Sequence, residues 1–220
     1  SDNAIKYLFM VMLGSFPCQG FSTAQRRSKT KTDPRNSLLT TTVSIIVAVR
    51  PVLCILENVL AVQRSELYRK GIAELRQVGY VVDEHVVDGH AAGLATLRSR
   101  IFVVIRAPFV PDTLGPTLAK IHRTRRTAPS GTGAPTFTDI VPGTTHVYYH
   151  RITRRDPSIW TGEKPSPTFL TSCLRPPGAG WIDHPRNSAP MARALLPSAH
   201  QLATISGFPS TWVLPPTREK

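Results

Sequence analysis

Ile5-Lys6-Tyr7-Leu8-Phe9-Met10-Val11-Met12-Leu13-Gly14 is an apolar run interrupted by Lys6 and stopped by a glycine. It reads as a strand buried on both faces of a parallel sheet, with chemistry expected at its carboxyl end. Working outward, Val52 to Leu56 forms a second apolar run after Pro51 and ends at Glu57-Asn58-Val59, as a second buried strand would. A helix is expected from about Ser37 to Val49, and another from Ser65 to Val78, closed by Gly79. This strand-helix-strand-helix rhythm is that of half a doubly wound α/β sheet. Residues 80–87 and 101–106 are β-branched runs and read as two further strands, for which antiparallel pairing is an open alternative.

Open α/β sheets hold ligands beyond the carboxyl ends of their strands, so Cys18 after the first strand and Glu57 after the second should face one crevice. A thiol between Pro17 and Gln19 on a tight turn is exposed and fixed, which suits covalent attack. Taken alone, Cys18 reads more readily as a buried or incidental thiol. Residues 20–37, with Arg26, Arg27, Lys29 and Lys31, read as a mobile loop. From Pro108 to about Pro165 the chain turns to Pro, Thr, Gly and Arg with short aromatic patches at Val147-Tyr148-Tyr149 and Ile159-Trp160, which suggests a small irregular lobe. Helix returns near Ser198 to Ser206, before Gly207-Phe208-Pro209. The expected division is 1–107 as the catalytic α/β part, 108–165 as a recognition lobe, and 166–220 as a return to the catalytic part.

Lysine and arginine exceed aspartate and glutamate by 13, and most of that excess lies beyond residue 104, which favours a polyanionic partner such as nucleic acid. The cysteines at 18, 54 and 173 show no CxxC pairing and no histidine cluster at ligand spacing, arguing against a disulfide framework and against a metal site. Cys54, inside an apolar strand, reads as core. No apolar run is long enough to span a bilayer and no secretory signal is recognisable, so the expected location is the cytoplasm, near the nucleoid. Gly131-Thr132-Gly133 and Gly178-Ala179-Gly180 match GxG, but neither follows a strand and opens a helix.

Gly14-Ser15-Phe16-Pro17-Cys18-Gln19-Gly20-Phe21-Ser22 closely resembles the nucleophile loop of cytosine-5 DNA methyltransferases. Further matches follow in that family's order: Asp33-Pro34-Arg35-Asn36-Ser37-Leu38, Glu57-Asn58-Val59, and Arg98-Ser99-Arg100, similar to its paired arginines. Lys164-Pro165-Ser166-Pro167-Thr168, His184-Pro185 and Gly207-Phe208-Pro209 resemble the stretch that closes its target-recognition region. The resemblance runs over about residues 5–214.

The resemblance implies a Rossmann-like methyltransferase sheet, incomplete here, with a small target-recognition lobe. It also implies transfer of a methyl group from S-adenosylmethionine to carbon 5 of a cytosine flipped out of double-stranded DNA. Carbon 5 is a poor nucleophile until a thiolate adds to carbon 6, so a cysteine is required, and Cys18 takes that role. Glu57 would serve N3, and Arg100 would serve O2, with Arg98 in support. Ser15 and Phe16 would border the cofactor. Pro17, Gln19, Ser22 and Asn58 would meet the substrate base, and Arg151, Arg154 and Arg155 would meet DNA phosphates. The Arg123-Thr124-Arg125-Arg126 run reads the same way.

Several departures from the family pattern stand out. Its Phe-x-Gly-x-Gly loop and acidic ribose partner would precede residue 1, and its closing Gly-Asn-(Ala/Ser)-Val segment is missing after Trp212. Thr96 stands in place of a glutamine, and Gln201 stands near the place of a glutamate. The expectation is therefore a chain that needs cofactor-binding segments it does not itself carry, supplied by a second polypeptide if it is one product of a split gene, with a fragment of a longer enzyme and a decayed copy as the open alternatives. The alternatives are a catalytically silent DNA-binding protein of the same ancestry, and a transfer RNA cytosine-5 methyltransferase relative. Whether the role is in a restriction-modification system or in regulation is not written in the sequence.

Overall fold

The computed structural model describes residues 7–17, 34–113, 115–116, 135–149, 159–169, 185, 187 and 189–214. Contacts divide the chain into two compact units, the first of residues 1–87 and 99–122 and the second of residues 88–98 and 123–220.

The first unit is built on a four-stranded mixed sheet in the order β1-β2-β5-β3, with β1 at Leu8–Gly14, β2 at Pro51–Asn58, β3 at Val81–Asp88 and β5 at Ser99–Arg106. Strand β4, Thr96–Leu97, belongs to the second unit. β1 runs parallel to β2, and β5 runs antiparallel to β2, pairing Cys54 with Ile105, Leu56 with Val103 and Asn58 with Ile101. The mixed α/β class expected from the sequence is what the chain forms.

Two helices cover one face of this sheet. Helix α1, Ser37–Val49, has the expected bounds and buries Leu39, Val43 and Ile46 at helical spacing. Its Thr40-Thr41-Thr42-Val43 run is β-branched and a poor intrinsic helix former, so packing rather than propensity holds the helix. It ends at Arg50, whose left-handed conformation (φ 54°) turns the chain into β2 while its N–H donates to the Ile46 carbonyl at 2.9 Å. Helix α2, Glu66–Gln77, buries Tyr68, Gly71, Ile72 and Leu75, and Gly79 (φ 97°) makes the turn that follows it. These side chains pack with Cys54 and Leu56 of β2, Val82 of β3 and Ile101, Val103 and Ile105 of β5 into one core. Each fully buried aliphatic group there contributes about 2 kcal/mol by leaving water. α1 and α2 share that core, and Leu53, Ile55 and Glu57 alternate to the opposite face of the sheet.

One expectation fails. β1 is not buried on both faces: Phe9 is 89% and Leu13 73% exposed, and Leu8 and Val11 are also exposed. The strand lies at the sheet edge, and among the described residues nothing pairs on its outer side. A continuous apolar run specifies a strand without specifying its place in the sheet. A smaller difference is that Glu57 and Asn58 are the last residues of β2 rather than residues just past it.

The second unit has its own core of Ala95, Phe137, Val147, Tyr149 and Ile205. The aromatic patches read from the sequence form an antiparallel pair, β6 (His146–Tyr148) with β7 (Ile159–Thr161). β4 pairs in parallel with β8, Ser166–Pro167. A four-residue helix, α3 (Phe137–Ile140), was not foreseen, and its Thr136/Asp139 capping box explains its start. Helix α4, Ala199–Ile205, starts at Ser198 as expected, with Gln201 completing a second capping box. Among the described residues no helix is long and apolar enough to cross a membrane, and no group of histidine, cysteine or acidic residues could hold a metal ion.

Candidate active site

The carboxyl ends of β1 and β2 lie side by side because the two strands are parallel and in register to Gly14 opposite Leu56. Gly14 sits close to Leu56 here: a methyl group in its place would lie 3.2 Å from a terminal carbon of that side chain, which would have to shift slightly. Ser15 follows it next to Glu57, and its hydroxyl donates to Oε2 of Glu57 at 3.3 Å. Phe16 then turns inward, its ring 5% exposed in the core.

Asn58 fastens this turn. Its side chain is 2% exposed. Its amide nitrogen donates to the Phe16 carbonyl at 2.9 Å, and its amide oxygen accepts the Val59 N–H at 2.8 Å. A buried amide satisfied on both ends is a structural tie, because breaking it would strand polar groups away from water. The residue expected to meet the substrate base therefore joins the two strand ends.

Arg100 reaches the same place from β5. In the antiparallel register Glu57 stands opposite Phe102, so Arg100 is its diagonal neighbour on the same face, away from the helices. The Arg100 Nε lies 2.9 Å from Oε1 of Glu57, with the arginine side chain 17% and the glutamate 31% exposed. A second guanidinium nitrogen of Arg100 donates to the Ser99 carbonyl at 2.8 Å. Such a charge-assisted pair at a half-buried strand end holds both groups in fixed orientation.

Ser15, Glu57, Asn58 and Arg100 are thus brought together as the sequence suggested, with Pro17 leading on from Phe16. Arg98 lies in the second unit, exposed, and its carbonyl accepts the Gly89 N–H at 2.8 Å. Cys18, Gln19, Ser22, Arg151, Arg154 and Arg155 lie outside the described residues, as do Cys173, the Arg123–Arg126 run, residues 20–33 of the loop expected over 20–37, and both GxG matches; the end of that expected loop, Pro34–Asn36, is instead a turn of 3-10 helix that leads into α1. Cys54 is core as expected, fully buried, and burial pushes its thiol up to about 12.

Sequence reasoning gave no role to the turn that leads to the arginines. Asp88 accepts the N–H groups of His90 and Ala91 at 3.0 and 3.2 Å, and buried His90 places Nδ1 3.1 Å from the Leu94 carbonyl. The Asp-Gly-His start and Gly93 (φ 91°) were the available signal for it.

The donor implied by the resemblance, S-adenosylmethionine, would need an apolar slot and polar groups around a nucleoside. The Phe16 ring is in the core, its carbonyl is bound by Asn58, and the Ser15 hydroxyl is on Glu57. The described residues do not by themselves fit that group.

A model of the C-5 cytosine-specific DNA methylase family matches residues 2–159. Type II methyltransferase M.HgiDI of Herpetosiphon aurantiacus is 28% identical over 200 residues, which cover 90% of this chain and 62% of that protein. Type II methyltransferase M1.HphI of Haemophilus parahaemolyticus is 36% identical over 113 residues, 48% of this chain and 30% of that protein. A solved structure of a putative DNA modification methyltransferase encoded within a prophage of E. coli aligns with a TM-score of 0.40 and 20% identity, over 64% of this chain and 37% of its own. The chain therefore spans less than two thirds of the curated relatives described here. With its strand-end cluster of Ser15, Glu57, Asn58 and Arg100 and a family match over most of its length, the chain belongs to the C-5 cytosine-specific DNA methylase family.

Proposed function

We propose that this chain carries the base-handling part of a DNA (cytosine-5)-methyltransferase. The observation that supports this most is the Glu57–Arg100 pair, 2.9 Å apart at the end of β2 and tied through Ser15 and Asn58 to the turn that leads into Cys18. In this reading the Cys18 thiolate forms a bond to carbon 6 of a flipped cytosine, and the ring electrons move toward carbon 5, N3 and O2. Glu57 serves the N3 edge, so the ring need not carry full negative charge. Arg100 stabilises charge at O2, with Arg98 in support. S-adenosylmethionine, the donor generally used by this family, would supply the methyl group that carbon 5 takes up and would leave as S-adenosylhomocysteine. Loss of the carbon 5 proton and cleavage of the sulfur–carbon 6 bond then return the thiolate and leave 5-methylcytosine. Pro17, Gln19 and Ser22 shape the turn around the base, and Arg151, Arg154 and Arg155 hold phosphates.

The test uses the full-length protein with S-adenosylmethionine and a pool of duplexes in which cytosine is replaced by 5-fluorocytosine. Fluorine blocks the last elimination, so a protein–DNA adduct should survive denaturing electrophoresis and disappear in Cys18→Ser. An adduct that persists in that variant rejects the nucleophile. No adduct with the wild type rejects the reading, and favours a silent DNA-binding protein if duplex binding remains.

A further inference from the structure

We infer that Thr168 is a positioning residue for Arg98: its hydroxyl holds the Leu97 carbonyl and so fixes the peptide on which the first of the paired arginines begins. The inference rests on the base-handling role proposed above for Arg98 and Arg100. It adds a residue 71 positions along the chain from Leu97 that acts through the backbone.

All the parts lie in the second unit, which contains residues 88–98 and 123–220. Strand β4 is two residues long, Thr96–Leu97, and pairs in parallel with Ser166–Pro167. So short a ladder has few backbone bonds; in one of them the Ser166 N–H donates to the Ala95 carbonyl at 2.8 Å. Two hydroxyls lengthen it by crossing in opposite directions. Thr96, 1% exposed, donates to the Pro167 carbonyl at 3.4 Å, and Thr168 donates to the Leu97 carbonyl at 2.9 Å. The second is the shorter and therefore the stronger bond.

The Thr168 hydroxyl is delivered from a held backbone. Pro167 before it has its φ locked by the ring. Phe169 after it packs on the second core and stacks against Tyr149, with ring centroids 5.7 Å apart. Thr168 itself is β-branched and has few side-chain states. On the receiving side, the Leu97 carbonyl and the Arg98 N–H belong to one planar peptide unit, so holding the oxygen orients the start of Arg98. The Arg98 carbonyl in turn accepts the Gly89 N–H at 2.8 Å. Arg98 is thus gripped on both of its peptides, once by a side chain from the return segment and once by the turn after β3. Ser99 and Arg100 follow directly.

The test compares full-length wild type with Thr168→Val, which keeps the shape and loses the hydroxyl, and with Thr168→Ser, which keeps the hydroxyl. Each is first shown to have an unchanged circular dichroism spectrum. Hydrogen exchange at the Gly89 amide reports the Arg98 carbonyl directly. Fluorescence anisotropy gives affinity for a duplex pool, and the rate of adduct formation is read with the 5-fluorocytosine pool described above. In Thr168→Val, Gly89 should exchange faster and the adduct form more slowly, each by roughly three- to tenfold, the effect of one hydrogen bond of ordinary net strength. Duplex affinity should not change, and Thr168→Ser should restore both rates. Unaltered Gly89 exchange in Thr168→Val would overturn the inference, as would an unaltered adduct rate or a loss that Thr168→Ser does not repair. A loss confined to duplex affinity would also overturn it, because Thr168 would then be a DNA contact. If Gly89 exchange responds while the wild type forms no adduct, the hydrogen bond stands as a feature of the fold but the methyltransferase reading fails, and with it the positioning role.

Discussion

Gly71 of α2 lies so close to Val43 of α1 that a methyl group on Gly71 would fall 2.9 Å from Val43 Cγ2. Val43 is a β-branched residue, 2% exposed in the middle of the shared core, and has one comfortable rotamer in a helix. Gly71→Ala should gain about 1 kcal/mol of helix propensity. It should lose about 1–3 kcal/mol to overpacking. The expected net result is a small loss, larger for Gly71→Val, measured as a lower urea midpoint. A raised midpoint in Gly71→Ala would mean that the two helices separate freely.

Arg100 should matter for chemistry more than for folding. Arg100→Ala removes one charged donor from the proposed site and should slow single-turnover methylation by about 100-fold or more. Arg100→Lys keeps the charge without the planar fork and should recover part of that rate. A rate for Arg100→Ala within a few-fold of wild type, with the protein folded, would take this arginine out of base handling.

Alkaline pH should destabilise the first unit. Burial pushes the Cys54 thiol up to about 12 and the Tyr80 hydroxyl up to about 12, and burial followed by the Glu84 contact pushes Tyr68 up as well. Each group is an acid whose folded form holds its proton more tightly than the unfolded chain does. Stability is therefore full below the unfolded values, near 9 for the thiol and 10 for the phenols, and falls as pH rises through that region toward 12. Denaturant midpoints measured from pH 8 to 11 should fall steadily. Cys54→Ala should flatten the first part of that fall, and a pH-independent midpoint would contradict the buried placement.

The start of α4 offers a cap to remove. Ser198 accepts the Gln201 N–H at 3.2 Å while the Gln201 side chain accepts the Ser198 N–H at 2.7 Å. Ser198→Ala should cost about 1 kcal/mol. Gln201→Glu should keep the box, since either side chain can accept that N–H. If Gln201→Glu proved as harmful as Ser198→Ala, the cap would not be what selects this position.

Duplex binding, if Arg151, Arg154 and Arg155 touch phosphates, should weaken steeply with salt and do so less in the triple alanine variant. Fluorescence anisotropy at several salt concentrations reads the slope. An unchanged slope in the variant would remove these residues from the interface.

What the sequence disclosed depended on what each residue's neighbours could encode locally. Helix α1 was found close to its true bounds, and its carboxyl end is a chemical one: Arg50-Pro51 cannot continue a helix. The meeting of Glu57 with Ser15 and Arg100 followed from strand direction and from a motif. The apolar run of β1 specifies a strand but carries no information about what lies beside it, so its exposure could not be read from that run. α3, β4 and β8 were missed because elements of two to four residues have no period to detect. Asn58 was placed at the substrate together with Glu57 because both belong to the Glu57-Asn58-Val59 motif. Alternation along β2 instead turns Asn58 to the opposite, buried face, where its amide finds the Phe16 carbonyl.

The outward side of β1 has a practical consequence. A strand that pairs on one edge only among the described residues, and whose Leu8, Phe9, Val11 and Leu13 are exposed, is a template for another strand, with no Pro and no charge between Leu8 and Gly14 to deter it. Concentrated solutions of this chain should lengthen into cross-β assemblies from that edge, with a lag that shortens as concentration rises. A single lysine at Phe9, the most exposed of these side chains, should delay the process while leaving the Glu57 cluster at the other side of Gly14 undisturbed.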